Sequence, residues 1–501
     1  MEPYLLYRDS STDGKKCYAF PRDIIKDLNL DIIFKTMAKT DELILEKVRR
    51  VMMIPLQTPE EIVYRQEVLR DLRHQDAILG DLYLCAERQN KALRLYKAEM
   101  KSNRAKSTKK TSELFETLNY LRQGQEDLLK IRELLIQKQG EWQSEGVNAL
   151  LERLKELPLE SINRHLQEAD SLITGCEAGY TFQFGGGLKI EHAVLNYLKP
   201  ATDKKLGGLE GFYYSIFKKN ALLLGTDAEL REDIVHLAEE TLQQILTVFQ
   251  PYLQKMMLFF EHYCEEIAFY MGAVQFMKRM EPLYITLQVP VPKPRGTTDA
   301  SFENLYELSM AVYAQRKPVG NSLTLKDNRM TLITGANQGG KSTFLRSYGI
   351  AQVLMQCGMP VPASKFSAPV YPQIFTHFTR SEDEHLSNGR LSEELQRMSN
   401  MVERTLPNSL FLLNESFAST TEKEGSKIAE GILNAFYEKN ITTMMVTHLY
   451  QLAKKKYDEA KEGSHFLVAE RTENGTRTFK MLPGEPTHTS FGTDLFKVLE
   501  G

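Results

Sequence analysis

The chain has 501 residues, of which 42% are hydrophobic and 26% charged, with a formal net charge of −3. That length exceeds what one core usually organises, so two or three domains are expected, and the near-neutral balance excludes an overall basic coat while leaving room for a local basic patch. Five scattered cysteines without metal-ligand or redox spacing, no amino-terminal signal and no apolar run of membrane-spanning length point to a cytoplasmic protein outside any membrane.

Residues 22 to about 280 read mostly as helices. Ile44, Val48, Val51 and Met52 fall on one helical face. In TPEEIVYRQEVLRDL, Thr58 suits a helix cap, Pro59 its first position, and Glu61 completes a capping box. The stretch 101–111, KSNRAKSTKKT, holds five basic residues and no acid. It reads either as a solvated surface or as a phosphate-contacting patch, with Lys101, Arg104, Lys106, Lys109 and Lys110 as the candidate nucleic-acid contacts. Residues 175–215 are glycine-rich and read as an irregular connection or hairpin. A second capping box, Thr226 to Glu229, opens an apolar-periodic stretch that runs through Leu242, Leu246, Leu253, Phe260, Ile267 and Val274. Pro251 is expected to kink or break it. A mostly continuous helix here would span roughly 75 Å at 1.5 Å per residue, the size of a lever.

From about residue 284 the pattern changes. A Pro-rich extended segment, ITLQVPVPKPRG, leads into short apolar runs alternating with helical patterns: RMTLITG, FLRSYGIAQVLMQ, SLFLLNE, KIAEGILNAFYEK and TTMMVTH. Such alternation predicts a mainly parallel sheet with flanking helices. Within it, TLITGANQGGKST satisfies the P-loop pattern at Gly335, Gly340, Lys341 and Ser342, after a strand and before a helix. Gly335, Ala336, Asn337, Gln338, Gly339, Gly340, Lys341, Ser342 and Thr343 are therefore the candidate phosphate cradle. Lys341 is placed to reach the outer phosphates, and the Ser342 hydroxyl to ligate Mg²⁺.

The run SLFLLNES reads as a buried strand delivering Asn414 and Glu415. Asp-Glu is the usual pair at such a position, with the acid steadying the metal shell and the Glu polarising water. Asn414 still offers a carbonyl oxygen to a metal-bound water but brings no charge, so weakened Mg²⁺ affinity is expected while Glu415 remains as base. His448 ends a third strand and is assigned a γ-phosphate-sensing role.

GANQGGKST, SLFLLNE and MMVTHLYQL together resemble the ATPase domain of the MutS family, an ABC-type branch of the P-loop ATPases known for DNA mismatch repair and related processes. The resemblance extends through GMPVPA at 358–363 to Ser490-Phe491-Gly492, and residues 29–75 look like the start of the family's core domain. It implies an α + α/β architecture. A helical core/lever domain over 1–283, with a reduced clamp within about 100–215, would precede an ABC-type P-loop ATPase domain over 284–501 with a mainly parallel sheet. It also implies ATP and Mg²⁺ as cofactors, DNA as partner, and a homodimer in which Ser392, in GRLSEELQRM, touches the γ-phosphate held by the partner subunit.

Several positions depart from the family pattern. Glu393-Glu394 replace small or apolar residues, 417–421 lose the usual glycines and arginine, and Pro318 to Asn321 lack the aromatic that commonly accompanies the adenine. The chain begins nearly at the core domain, so no mismatch-reading domain is expected. The two Phe-x-Glu matches, Phe259 to Glu261 and Phe436 to Glu438, read as coincidental. No carboxy-terminal nuclease extension or dimer-stabilising tail is expected either. Three functions fit: a slow ATPase in mismatch repair or recombination-related metabolism that binds DNA by its structure and not by a mismatch, a nucleotide-held switch with negligible hydrolysis, or an ABC-type clamp acting on RNA or ribosomes.

Overall fold

The computed structural model describes residues 3–8, 19–106, 110–174, 176–184, 190–200, 228–379, 389–472 and 476–487. Residue contacts divide the chain into two compact units. One comprises Met1–Pro3, Ala77–Trp142 and Val147–Ile267; the other comprises Tyr4–Asp76, Gln143–Gly146 and Ala268–Gly501.

The second unit opens with four helices, α1 (Asp23–Asp27), α2 (Leu30–Ala38), α3 (Glu42–Met52) and α4 (Pro59–His74). Asp41 caps α3 by accepting the Ile44 N–H at 3.0 Å, and the expected face of Ile44, Val48, Val51 and Met52 is buried. At α4, Thr58 accepts the Glu61 N–H at 3.2 Å and Glu61 reaches back to accept the Gln57 N–H at 2.9 Å. The Thr58 half of the capping box is thus formed as read from TPEE, while Glu61 reaches one residue further back than the cap itself. Arg65 on α4 is fully buried and donates to the carbonyls of Leu6 at 3.3 Å and Cys357 at 3.2 Å. Its guanidinium lies over the rings of Tyr7 and Phe269. Gly358 follows directly: its φ is +72°, and a Cβ there would stand 2.8 Å from the Arg65 side chain. This explains the glycine that opens GMPVPA.

The other unit is built from α5 (Asp76–Lys106), α6 (Lys110–Ile136), α7 (Glu145–Glu156), α8 (Leu159–Thr174), an antiparallel pair β1 (Cys176–Phe184) and β2 (Ile190–Pro200), and most of α9 (Ala228–Met280). In the glycine-rich stretch β1 and β2 pair antiparallel, while 185–189 and 201–215 lie outside the described residues. Within this unit Tyr263 donates to the Leu82 carbonyl at 3.1 Å and stacks on Phe259 at 5.7 Å. Phe259 is buried, as is Phe436 in the other unit, so neither Phe-x-Glu match presents its aromatic to a partner. Pro251 does not break the helix: α9 runs unbroken for 53 residues, about 80 Å at 1.5 Å per residue. The lost backbone bond at exposed Pro251 is outweighed by apolar packing on both sides, from Leu246 to Leu253 and Phe260. Thr226 lies outside the described residues.

The second unit continues through β3 (Val291–Lys293), β4 (Ala300–Leu305), α10 (Leu308–Ala314), β5 (Asn321–Leu325), β6 (Met330–Thr334) and α11 (Lys341–Gln356). Next come β7 (Lys365–Pro369), β8 (Ile374–Phe378), α12 (Arg390–Val402), β9 (Leu410–Asn414) and α13 (Glu422–Glu438). It closes with β10 (Thr442–Val446), α14 (Tyr450–Glu459), β11 (Ser464–Arg471) and β12 (Arg477–Pro483). A six-stranded sheet runs in the order β12-β11-β6-β10-β9-β8, parallel throughout except for β12. Its inner strands are apolar on both faces because helices cover both. Phe411 stacks on Phe375 at 4.8 Å and meets Phe436 at 4.4 Å in the core. The Pro-rich segment supplies β3 to a four-stranded sheet, β3-β7-β4-β5, which is parallel only between β3 and β7.

Candidate functional site

Three neighbouring parallel strands, β6, β10 and β9, end at the same edge of the sheet. The carboxyl ends of parallel strands are where open α/β sheets gather their functional groups. The loop after β6 carries the glycine motif, Asn414 and Glu415 leave β9, and His448 leaves β10. Backbone bonds fix these exits: the Glu415 N–H donates to Val446 O at 2.9 Å and the Thr447 N–H to Ile333 O at 3.1 Å.

The loop needs its glycines. Gly335 has φ +116° and a Cβ there would meet the Ala469 nitrogen at 2.9 Å; Gly339 is equally tight against Ala336 O; Gly340 has φ +91°. Asn337 and Gln338 are exposed, and Arg477 donates to Gln338 Oε1 at 2.8 Å. Lys341 is buried, and its ammonium donates to the loop's own carbonyls, Gly335 O at 2.8 Å and Ala336 O at 3.0 Å. Burial lowers its pKa, while the Glu415 charge opposes that shift. Ser342 and Thr343 follow in the first turn of α11, half-buried.

His448 donates from Nε2 to Glu415 Oε1 at 2.8 Å. That bond holds the Glu415 carboxyl below the usual range, aided by the charges of His448 and Lys341 and opposed by partial burial. His448 is thus paired with Glu415. Glu415 itself has φ +55° and Phe417 φ +63°, two left-handed residues within three positions. Such residues cost about 1–3 kcal/mol each and persist where surrounding contacts over-determine them.

Asn414 Oδ1 is buried without a hydrogen-bond partner, and Asn414 ends β9. An orphaned carbonyl oxygen next in sequence to a carboxylate is a donor pair suited to a hard hydrated cation. The residues therefore fit Mg²⁺ held partly through water.

Ser392 is exposed on the first turn of α12. Glu394 is buried on the same helix and accepts the Phe417 N–H at 2.9 Å, so its charge is turned inward. Lys101 is exposed near the end of α5; Arg104 and Lys106 close that helix, Lys110 opens α6, and Lys109 lies outside the described residues, as do Ser490, Phe491 and Gly492. A cavity of about 800 Å³, lined by Phe20, Arg22, Phe375, Arg397 and Arg404 at the opposite, amino-terminal end of β8, contains none of these groups.

One aromatic was not foreseen. Phe479 on β12 is 45% exposed, and the Cβ position of Gly340 lies 3.5 Å from its ring. Asn321 donates to its carbonyl at 3.3 Å and accepts the Met481 N–H at 2.8 Å. Lys480 donates to Gly320 O. The segment expected at the adenine is thus tied to the backbone of the strand that carries this ring. The only signal in the sequence was a lone phenylalanine in TRTFKML.

Comparison with known proteins matches residues 331–500 to the family model MutS domain V and residues 57–283 to the MutS2 N-terminal domain. The chain belongs to the MutS family. Among curated relatives, the DNA mismatch repair protein MutS of Thermus aquaticus is 31% identical over 170 residues, 34% of this chain and 20% of that protein. The MutS of Thermotoga sp. (strain RQ2) is 24% identical over 310 residues, 58% of this chain and 38% of that protein. The MutS protein homolog him-14 of Caenorhabditis elegans is 28% identical over 184 residues, 36% of this chain and 22% of that protein. The chain thus spans between a fifth and two fifths of these relatives' length. Among the described residues of this MutS-family chain no helix is long and apolar enough to cross a membrane.

Proposed function

We propose that this MutS-family chain is a slow, Mg-dependent ATPase of the ABC-type P-loop class. In this reading it works as a cytoplasmic homodimer and couples nucleotide state to movement of its helical part on DNA. The observation that carries the reading is the convergence of the Lys341 loop, Asn414 and the Glu415–His448 pair, 2.8 Å apart, at one sheet edge. The proposed division of labour gives residues 1–283 to the core and lever, with a reduced clamp within about 100–215, and 284–501 to the ATPase.

Loop N–H groups and Lys341 would bind the phosphates, with Lys341 exchanging its two loop carbonyls for phosphate oxygens. Phe479 would offer its exposed ring to the adenine. Ser342 and Asn414 would hold Mg²⁺, which when bound neutralises developing phosphate charge. Glu415 would accept the proton of the attacking water, and His448 would sense the γ-phosphate and orient Glu415. The same hydrogen bond depresses Glu415's pKa and so weakens it as a base, which favours slow turnover. Ser392 would complete the site of the partner subunit. Lys101, Arg104, Lys106, Lys109 and Lys110 are proposed to contact DNA phosphates, so affinity should fall steeply with salt.

Steady-state ATP hydrolysis across a Mg²⁺ titration tests the reading. Turnover should vanish in Glu415→Gln, and the Mg²⁺ requirement should fall in Asn414→Asp. ATP binding without turnover would leave the second reading, a nucleotide-held switch, which the uncharged Asn414 favours. Capture of ribosomes in preference to duplex or branched DNA would overturn the DNA assignment.

A further inference from the structure

We propose that Glu394 is a positioning residue that locks the helix bearing Ser392 to the turn carrying Glu415 within the same subunit, so that engagement of Ser392 sets the geometry of that subunit's own base. The inference rests on the proposed roles of Ser392 and Glu415 and goes beyond them by naming the link.

The turn 415–417 holds two non-glycine residues in left-handed backbone, Glu415 and Phe417, and needs external restraint. Most of that restraint comes from β8 and α12. Thr379, just past β8, donates its hydroxyl to Glu415 O at 2.9 Å. The Ser416 hydroxyl lies between Nδ1 of buried His377, at 2.7 Å, and His377 O, at 2.9 Å. The Phe417 ring is buried and stacks on His377 at 5.7 Å. From α12, the Glu394 carboxylate accepts the Phe417 N–H at 2.9 Å, while its backbone carbonyl lies 3.3 Å from His377 Nε2.

Glu394 is thus the side chain by which α12 grips the turn, two residues beyond exposed Ser392 on the same helix. A shift of Ser392 towards a partner's phosphate moves Glu394 with it, because one helical turn is stiff. The Phe417 N–H follows its acceptor, and Glu415 is two residues away on a strained backbone. On the proposed reading, each subunit's base is then set only when its own Ser392 is engaged. The arrangement also accounts for an acidic pair beside a phosphate-touching serine: one carboxylate is spent on the turn and does not face the phosphate.

The test compares Glu394→Ala, Glu394→Met (which fills the volume without an acceptor) and Glu394→Gln (which keeps one) for kcat and for affinity towards Mg-ATP. Both acceptor-less variants should lose about 10- to 100-fold in kcat. Nucleotide affinity should be nearly unchanged, and Glu394→Gln should recover most of the rate. Combining Ser392→Ala with Glu394→Met should cost little more than either alone, since both break one path. Wild-type kcat in Glu394→Met, a Gln variant as slow as Met, or fully additive losses would overturn the link while leaving the ATPase reading intact. Absence of Glu415-dependent turnover in the unmodified protein would sink both.

Discussion

At the scale of single residues, the Glu415–His448 pair makes a prediction about pH. Because the hydrogen bond from His448 depresses the Glu415 pKa, the carboxylate form persists to pH values below the ordinary Glu value of about 4.3, and base function is lost only as pH falls through that lowered value. Replacing His448 with Ala removes the depression. The acid limb of kcat/KM against pH should therefore move upward relative to the unmodified protein; an unmoved limb would show that His448 does not tune Glu415. Gly335→Ala makes a steric prediction. The new methyl would lie 2.9 Å from the Ala469 nitrogen at a φ of +116°, so the variant should melt earlier and lose ATP affinity together. Calorimetry alongside nucleotide titration would check both. The glycine loop was legible because its residues are contiguous and each glycine answers a local backbone demand. Phe479 and Glu394 were not legible. Phe479 reaches the loop only through the β11–β12 pairing, and nothing local says that Glu394 points inward while Glu393, its neighbour, does not.

Among the elements, α9 settles one of the two outcomes expected at Pro251: the helix is not broken there. Proline statistics favour a break at Pro251, yet the helix continues for 53 residues because apolar contacts on either side outweigh one missing backbone bond. Pro251 is exposed, so Pro251→Ala should restore that bond without creating a cavity and stabilise the helix by about 1–3 kcal/mol. A higher melting temperature would bear this out, and a lower one would mean that the proline relieves a strain elsewhere along the helix. The central strands were readable from apolar runs ending in polar residues. The four-stranded sheet was not, because β3, β4, β5 and β7 are short, mostly antiparallel and assembled from residues 291–369 across an intervening strand, helix and loop.

For the molecule as a whole, two compact units imply two cooperative transitions. If the second unit alone binds nucleotide, saturating Mg-ATP should raise only its transition, by about 2.7 kcal/mol at a hundredfold excess over Kd. Movement of both transitions would argue that the units unfold as one. The buried Arg65 carries a different consequence. Its hydrogen-bond acceptors are Leu6 O and Cys357 O, and the latter lies 292 residues downstream. At synthesis rates of roughly 5–20 residues per second, that separation corresponds to about 15–60 s. Throughout that interval the Arg65 guanidinium has only the Leu6 carbonyl and awaits its second acceptor. The Arg65 site is thus completed late, and a nascent-chain chaperone that shields this guanidinium until Cys357 emerges should raise the yield of native protein.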